Sequence, residues 1–383
     1  MYNPVHDRKV IILYYLIYYM TFSVLVTFLP IYLTESAGVT SAQLGFLMAA
    51  GPVAAVAVQP FWGMKADRAK YKNTILLIIL TGTLAASVLI PLHTNFWYMA
   101  VTITLLHAFM TGNNPITDAI TVELCQKRSW DFGRIRMAGA VGYSSMGLIA
   151  GIIISGIPIR LFPIFAVMMV FSITAACFLP KVPGYQREKL RAPYLKLLKN
   201  KRLVIVLSLS FIANYTLGMH YSFYGVYFRE LGGTTALLGL AAFCASILEL
   251  PFAFFSKRII DKLGGPEKTL LASITVMTLR WALVSQAASP VFLLFVNCLH
   301  GFSFIVLAIT ITVFIGEHVP PEMKASGQTL NGMLAFGVSR ILGSVTGGML
   351  IGSWGISGMF LTAALVNMLG LLVFVPLVFK KGG

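Results

Sequence analysis

The chain has 383 residues, of which 57% are hydrophobic, 12% aromatic and only 11% charged. A water-soluble domain carries about a quarter charged residues, so this composition excludes an ordinary soluble enzyme or binding module and points to a chain that lives in lipid. The formal charge of +16 raises the question of nucleic acid, and the placement of the basic residues answers it in favour of a membrane.

A bilayer core takes about 20 apolar residues per helix. Runs of that length predict twelve spans, over 10–33, 41–64, 73–92, 96–124, 134–158, 161–180, 203–228, 235–256, 268–288, 291–316, 325–351 and 354–379. The first is expected to be a retained helix and not a signal peptide, because its apolar run is long and no small-residue cleavage site follows. It is rich in aromatics (Tyr14, Tyr15, Tyr18, Tyr19, Phe22), as is the seventh (Tyr215, Tyr221, Phe223, Tyr224, Tyr227). The four cysteines lie in or beside spans with no metal or disulfide spacing, and are expected to serve as small packing residues.

With both termini taken as cytoplasmic, 23 of the 29 Lys and Arg fall on inner segments, and only Arg160 and Arg229 fall on outer ones. That asymmetry is the positive-inside rule; a basic face for anionic lipid is a secondary consequence. Eight of the basic residues sit in KVPGYQREKLRAPYLKLLKNKR, 181–202, which divides the chain into six spans and six. The predicted organisation is a bundle over 1–180, a basic cytoplasmic linker over 181–202 and a second bundle over 203–383. An internal echo supports two related halves: PFWGMKADRAKYKNTILL from Pro60 and PFAFFSKRIIDKLGGPEKTLL from Pro251 each link the second and third spans of their half.

Charged side chains inside spans cost roughly 2.5–3.5 kcal/mol at mid-helix, so they pair or face a cavity. Five stand out: Asp118, Arg136, Glu249, Arg280 and Arg340, with His300 able to titrate. The turn between the fourth and fifth spans centres near Lys127, nine residues from both Asp118 and Arg136. At 1.5 Å per residue the two lie at matching depth, about 13 Å along antiparallel helices. An ion pair is expected, either as a structural clamp or as half of a solute site, where a polar ligand replaces one partner without baring the other. Arg134, one turn nearer the surface, is expected to snorkel. In the second half, Glu249, Arg280 and His300 could load and release a proton as the arginine approaches or recedes. The alternative is a polar cluster that only bridges helices. Tyrosines such as Tyr221 and Tyr224 offer flat faces with a hydroxyl, which suits a sugar or aromatic solute as well as packing.

Two motifs carry a resemblance. GMKADRAKYK, with Gly63, Asp67, Arg68 and Lys72, resembles the loop signature of major facilitator transporters, with Lys70 where that family usually has glycine. NNPITDAI followed by DFGRIRMAGAVGY resembles the lactose permease group of oligosaccharide–proton symporters and the phenylpropionate and nucleoside permeases related to it. The resemblance implies an all-α integral membrane fold of twelve helices in two pseudo-symmetric six-helix bundles, both termini cytoplasmic. It implies an inner gate at Gly63, Asp67 and Arg68. It also implies solute contacts at Asp118, Arg136 and Tyr143, the last standing where the sugar permease has Trp, with Asn114, Tyr221 and Tyr224 as further candidates. Arg280 and His300 keep the coupling pair's 20-residue spacing, but Ser303 stands where that group has its proton-carrying Glu. The proton role therefore passes to Glu249 or Asp118.

The expected function is proton-coupled import of a small polar solute, a sugar or nucleoside, by alternating access. The alternative is uptake of an aromatic or other organic acid, suggested by the excess of Arg136, Arg280 and Arg340 over Asp118 and Glu249. A proton-antiporting exporter is less favoured, since the fifth span lacks the Gly-Pro motif of such proteins, and a sensor on a transporter scaffold has nothing in its favour. No phosphate loop, metal cluster or nucleophile triad is present, so the chain is expected not to be an enzyme and to need no cofactor beyond the coupling proton. The expected partners are a small-molecule substrate, protons and membrane lipid, with no nucleic acid. The protein is expected to act as a monomer, multi-pass in the cell (inner) membrane, with Arg340 a possible anion contact.

Overall fold

The computed structural model describes residues 4–184, 197–320 and 323–379. Among these the regular structure is helical throughout, as it must be for a single chain that satisfies its backbone hydrogen bonds inside lipid without closing a barrel. Nine helical segments among the described residues are long and apolar enough to cross a bilayer. The longest, Ser326–Val378, has 53 residues, roughly 80 Å at 1.5 Å per residue and more than twice a bilayer core of about 30 Å. Gly355, at φ 67° and ψ 177°, breaks it where the eleventh and twelfth predicted spans meet.

The chain forms two compact units, one of Met1–Lys189 with Thr234–Phe243, the other of Leu190–Gly233 with Cys244–Gly383. The first holds α1 (Pro4–Ile31), α2 (Ser41–Ala57), α3 (Gln59–Arg68), α4 (Lys72–Leu89), α5 (Phe96–Met110), α6 (Asn113–Arg128), α7 (Phe132–Ile154) and α8 (Leu161–Cys177). The predicted 41–64 span divides at Val58, because Pro60 near the start of α3 has no N–H to continue the ladder. The predicted 96–124 span divides at Thr111–Gly112. There the Trp62 indole donates to the Ala108 carbonyl at 2.6 Å, and Gly112 N–H turns to Phe109 instead. The helix predicted over 134–158 stops at Ile154, with Ser155 left-handed at φ 42°.

α1 packs along α7. A Cβ at Gly142 would overlap the Leu16 backbone, so only glycine permits that approach. The sequence division placed all of 203–383 in the second half, yet the start of α10 (Thr235–Phe254) groups with the first unit. The Thr235 hydroxyl donates to the Gly151 carbonyl at 2.9 Å and receives Gly156 N–H at 3.4 Å, which ties the end of α7 to the start of α10.

The second unit holds α9 (Lys201–Glu230), the rest of α10, α11 (Ser256–Leu263), α12 (Pro266–Ser285), α13 (Pro290–Asn297), α14 (Leu307–His318), α15 (Lys324–Asn331) and α16 (Ser339–Phe379). Two π-helical stretches, Gly301–Val306 and Gly332–Val338, precede α14 and α16. The echoed segments adopt the same local structure: a short helix, α3 or α11, then a longer one, α4 or α12. Most of the basic linker, 185–196, lies outside the described residues, as do Lys380 and Lys381.

Candidate functional site

In the first unit Asp118 and Arg136 form an ion pair between α6 and α7, as their matched depth predicted. The hairpin that brings them together is short: Ser129 ends α6 in the left-handed region, and the Asp131 side chain caps α7 by accepting from Arg134 N–H at 3.2 Å. Asp118 also accepts from the Tyr15 hydroxyl at 2.7 Å. The pair is not sealed in the helix core: 44% of the Arg136 side chain and 28% of Asp118 are exposed. The Arg136 guanidinium lies 5.9 Å from the Phe132 ring. Tyr143 meets Phe22 at 6.2 Å between centroids, next to the ladder in which Tyr15 stacks on Tyr19. Arg134 faces outward and lies 3.4 Å from Asp131, both largely exposed.

Asn114 is half-buried and its side-chain oxygen accepts from Asn113 at 3.4 Å. Its neighbour Asn113, which sequence reasoning passed over, is the anchored one, buried and accepting from the Tyr14 hydroxyl at 2.5 Å. The signal that could have found it was the aromatic face of α1, whose partner cannot be read locally.

The loop end of this unit is more polar than the motif suggested. Asp7 pairs with Arg128 at 2.7 Å, and Glu123 takes both Lys72 at 3.2 Å and Lys127 at 2.8 Å. Asn73 donates to the Pro180 carbonyl and accepts from Val182 N–H, while Lys72 N–H donates to the Val182 carbonyl. Gly63 has open space around it, and Asp67 and Arg68 are exposed. Among the described residues no ion pair joins Asp67 or Arg68 to another side chain; the charges that bind helix ends are Asp7, Glu123 and Arg128.

The second unit has its own buried polar cluster. Arg280 on α12 is fully buried. Its Nη1 lies 2.8 Å from Nδ1 of His300, and its Nη2 lies 3.1 Å from Nε2 of His220 and 2.6 Å from the Asn297 oxygen. A guanidinium only donates, so both histidine nitrogens facing it accept. His300 therefore carries its hydrogen on Nε2, which points at Glu249 across 3.4 Å and lies 3.3 Å from the Tyr221 hydroxyl. Glu249 is thus linked to Arg280 through an imidazole and not by direct contact. His220 and Asn297 were missed in the sequence, because a single His or Asn in an apolar run has no spacing to mark it.

Tyr221 stacks under Arg340, 4.9 Å from the guanidinium carbon, with Phe336 at 4.7 Å. Tyr224 is buried, and its hydroxyl donates to the Leu293 carbonyl at 3.1 Å. Its only hydrogen is committed to backbone, so the hydroxyl can meet a solute only as an acceptor.

The family comparison matches residues 10–362, nearly the whole of both units, to the MFS_1 like family. The chain belongs to the MFS_1 like family. This major facilitator transporter is 25% identical over 373 residues to the maltose permease of Geobacillus stearothermophilus, covering 97% of this chain and 94% of that one. It is 24% identical to a putative nucleoside transporter, YegT, of Escherichia coli K12, covering 85% and 80%. Its fold is similar to the crystal structure of the nucleoside transporter NupG, with a TM-score of 0.85 and 17% identity over 96% of this chain and 98% of that one. The protein is accordingly a multi-pass membrane transporter and not an enzyme.

Proposed function

We propose that this transporter is a proton-coupled symporter that imports a small polar organic solute, a sugar or nucleoside, by alternating access. The observation that carries the proposal is the accessible Asp118–Arg136 pair, held in place by Tyr15. A solute hydroxyl can donate to Asp118 while another oxygen accepts from Arg136, so neither charge is left bare when the pair opens. The similarity to a maltose permease and to nucleoside transporters supports a solute of this kind. The arrangement we favour has twelve spans, with the Asp7–Arg128 end and both termini cytoplasmic, and functions as a monomer.

Coupling is assigned to Glu249, His300 and Arg280. A proton on Glu249 removes the carboxylate charge that the His300 Nε2–H faces, and loosens the chain of donors that starts at Arg280. Loss of the proton restores it. The surplus of Arg280 and Arg340 over Glu249 in the second unit favours a second reading, uptake of an organic acid.

The deciding measurement is uptake of maltose and uridine into proteoliposomes under an imposed inward proton gradient. We expect accumulation of at least one, lost in Asp118→Asn and in Arg136→Gln. Accumulation that survives either substitution would remove the pair from the solute path.

A further inference from the structure

Arg280 and Arg340 both lie within the helices of the second unit, but the fold treats them differently. Both Nη atoms of Arg280 have neutral acceptors, His300, His220 and Asn297, and its guanidinium stacks on Trp281 at 4.6 Å, although its Nε, like that of Arg340, is enclosed without a partner among the described residues. Arg340 is half-buried and, among the described residues, makes one side-chain hydrogen bond, from Nη2 to the Asn214 oxygen at 3.3 Å. Its Nε is enclosed with no partner. No carboxylate among the described residues lies within ion-pair distance of it, and Glu249 faces His300 instead. A guanidinium has five N–H donors, and among the described residues Arg340 uses only one of them, so most of the fork has no protein partner there.

The base of this arginine is rigidly held. A Cβ at Gly218 would come within 2.8 Å of the Arg340 carbonyl oxygen, so α9 and α16 approach at van der Waals contact of their backbones. Ser222 and Ser344 hydrogen-bond at 2.8 Å, and Tyr215 and Thr346 at 2.7 Å, along the same seam. The rings of Tyr221 and Phe336 lie 4.9 and 4.7 Å from the guanidinium carbon. Ring faces stabilise a cation without neutralising it, and they cover its faces, so an incoming ligand must meet the edge of the fork. A planar edge with two parallel N–H groups is matched by a carboxylate.

The surroundings supply space. A cavity of about 150 Å³ in the same unit has Asn214 and Phe336, which contact Arg340, in its wall beside Phe304, Leu307, Ile311 and Asn331; the guanidinium itself lies behind that wall and does not line it. Phe304 and Phe336 belong to the two π-helical stretches, a distortion that recurs at functional sites.

We propose that Arg340 is the cationic half of a carboxylate subsite within the second unit, and that the transported solute is an acidic one, a sugar acid such as a uronate. This rests on the transport reading above and, within it, takes the second reading, uptake of an organic acid, in place of a neutral sugar or nucleoside. Tyr221 lies under Arg340 and its hydroxyl reaches His300, so the anion would bind one side chain away from the groups assigned to the proton.

The test is equilibrium binding and thermal stabilisation of the purified full-length transporter with matched probes, D-glucuronate against D-glucose, in the presence and absence of sodium chloride. The wild type should bind glucuronate about tenfold or more tightly than glucose, the loss expected when a charged hydrogen bond is removed. Arg340→Gln should weaken glucuronate and bring the two within about twofold. If the Gln variant does not fold, Arg340→Lys keeps the charge without the fork and should lose most of the preference. Equal binding of the two probes by the wild type, no glucuronate binding, or a preference that survives both substitutions overturns the subsite. So does sodium chloride stabilising the protein as well as glucuronate does. With the proteoliposome uptake assay run beside it, proton-driven uptake without discrimination in binding overturns the subsite and leaves the symport reading standing, whereas discrimination without proton-driven uptake removes that reading and supports the subsite.

Discussion

The hydroxyl of Tyr15 donates to Oδ1 of Asp118 at 2.7 Å, across 103 residues of sequence. The carboxylate that pairs with Arg136 is therefore held from two helices, α1 and α7. Its second oxygen faces the arginine, and its first is turned towards α1.

Removing the hydroxyl should free the carboxylate to swing. In Tyr15→Phe we expect solute affinity to fall about tenfold, the worth of one charge-assisted hydrogen bond, while folding stability changes little because Asp118 is open to water. Titration of the purified variant with its solute reads the first, and its melting temperature reads the second. Unchanged affinity would make Tyr15 a packing residue.

Glu249→Gln keeps the side chain's shape and removes its proton chemistry. Counterflow exchange of solute should persist in this variant, and accumulation against a gradient driven by pH should be lost. Accumulation at the wild-type level would move the coupling role elsewhere, with Asp118 next in line.

Arg280 is a structural keystone, and its removal should show as instability before anything else. Arg280→Met strands acceptors on His300, His220 and Asn297 in a buried site, each unsatisfied group costing about 1–3 kcal/mol. The variant should be poorly folded, as measured by yield and melting temperature in detergent. Arg340→Gln, with one hydrogen bond to lose, should fold far better; the opposite order would reverse their roles.

Gly142→Val tests the seam that aligns α1 with α7. Its side chain would collide with the Leu16 backbone, and the backbone shift that overpacking forces costs roughly 1–3 kcal/mol. We expect lower stability together with loss of binding, since both Tyr15 and Arg136 ride on that seam. Wild-type behaviour in both assays would show that the helices can separate there without consequence.

How much was legible follows from how far apart the partners lie along the chain. Asp118 and Arg136 flank one hairpin, so counting residues from the turn was enough to set their depths equal. Arg280 and His300 stood out as ionisable groups inside spans, and the resemblance to the lactose permease group implied their pairing; they do meet. The breaks at Thr111–Gly112 and at Val58 were less visible. One depends on an indole from another helix capturing a carbonyl, and the other on a proline that membrane helices often absorb.

By itself the sequence determined that this is a helical membrane protein, where most of its spans fall, and which ionisable groups lie inside them. Those properties depend on local composition and on helical rise. Only the tertiary structure decided that Tyr15 holds Asp118, that His220 and Asn297 satisfy Arg280, and that Arg340 is left with an open edge. Its partners Asn214 and Tyr221 lie on α9, more than a hundred residues away. The physical reason is that a membrane helix is apolar on the side facing lipid and on the side facing protein alike. No amphipathic stripe then announces how each helix is rotated, and rotation is what chooses a buried side chain's neighbours.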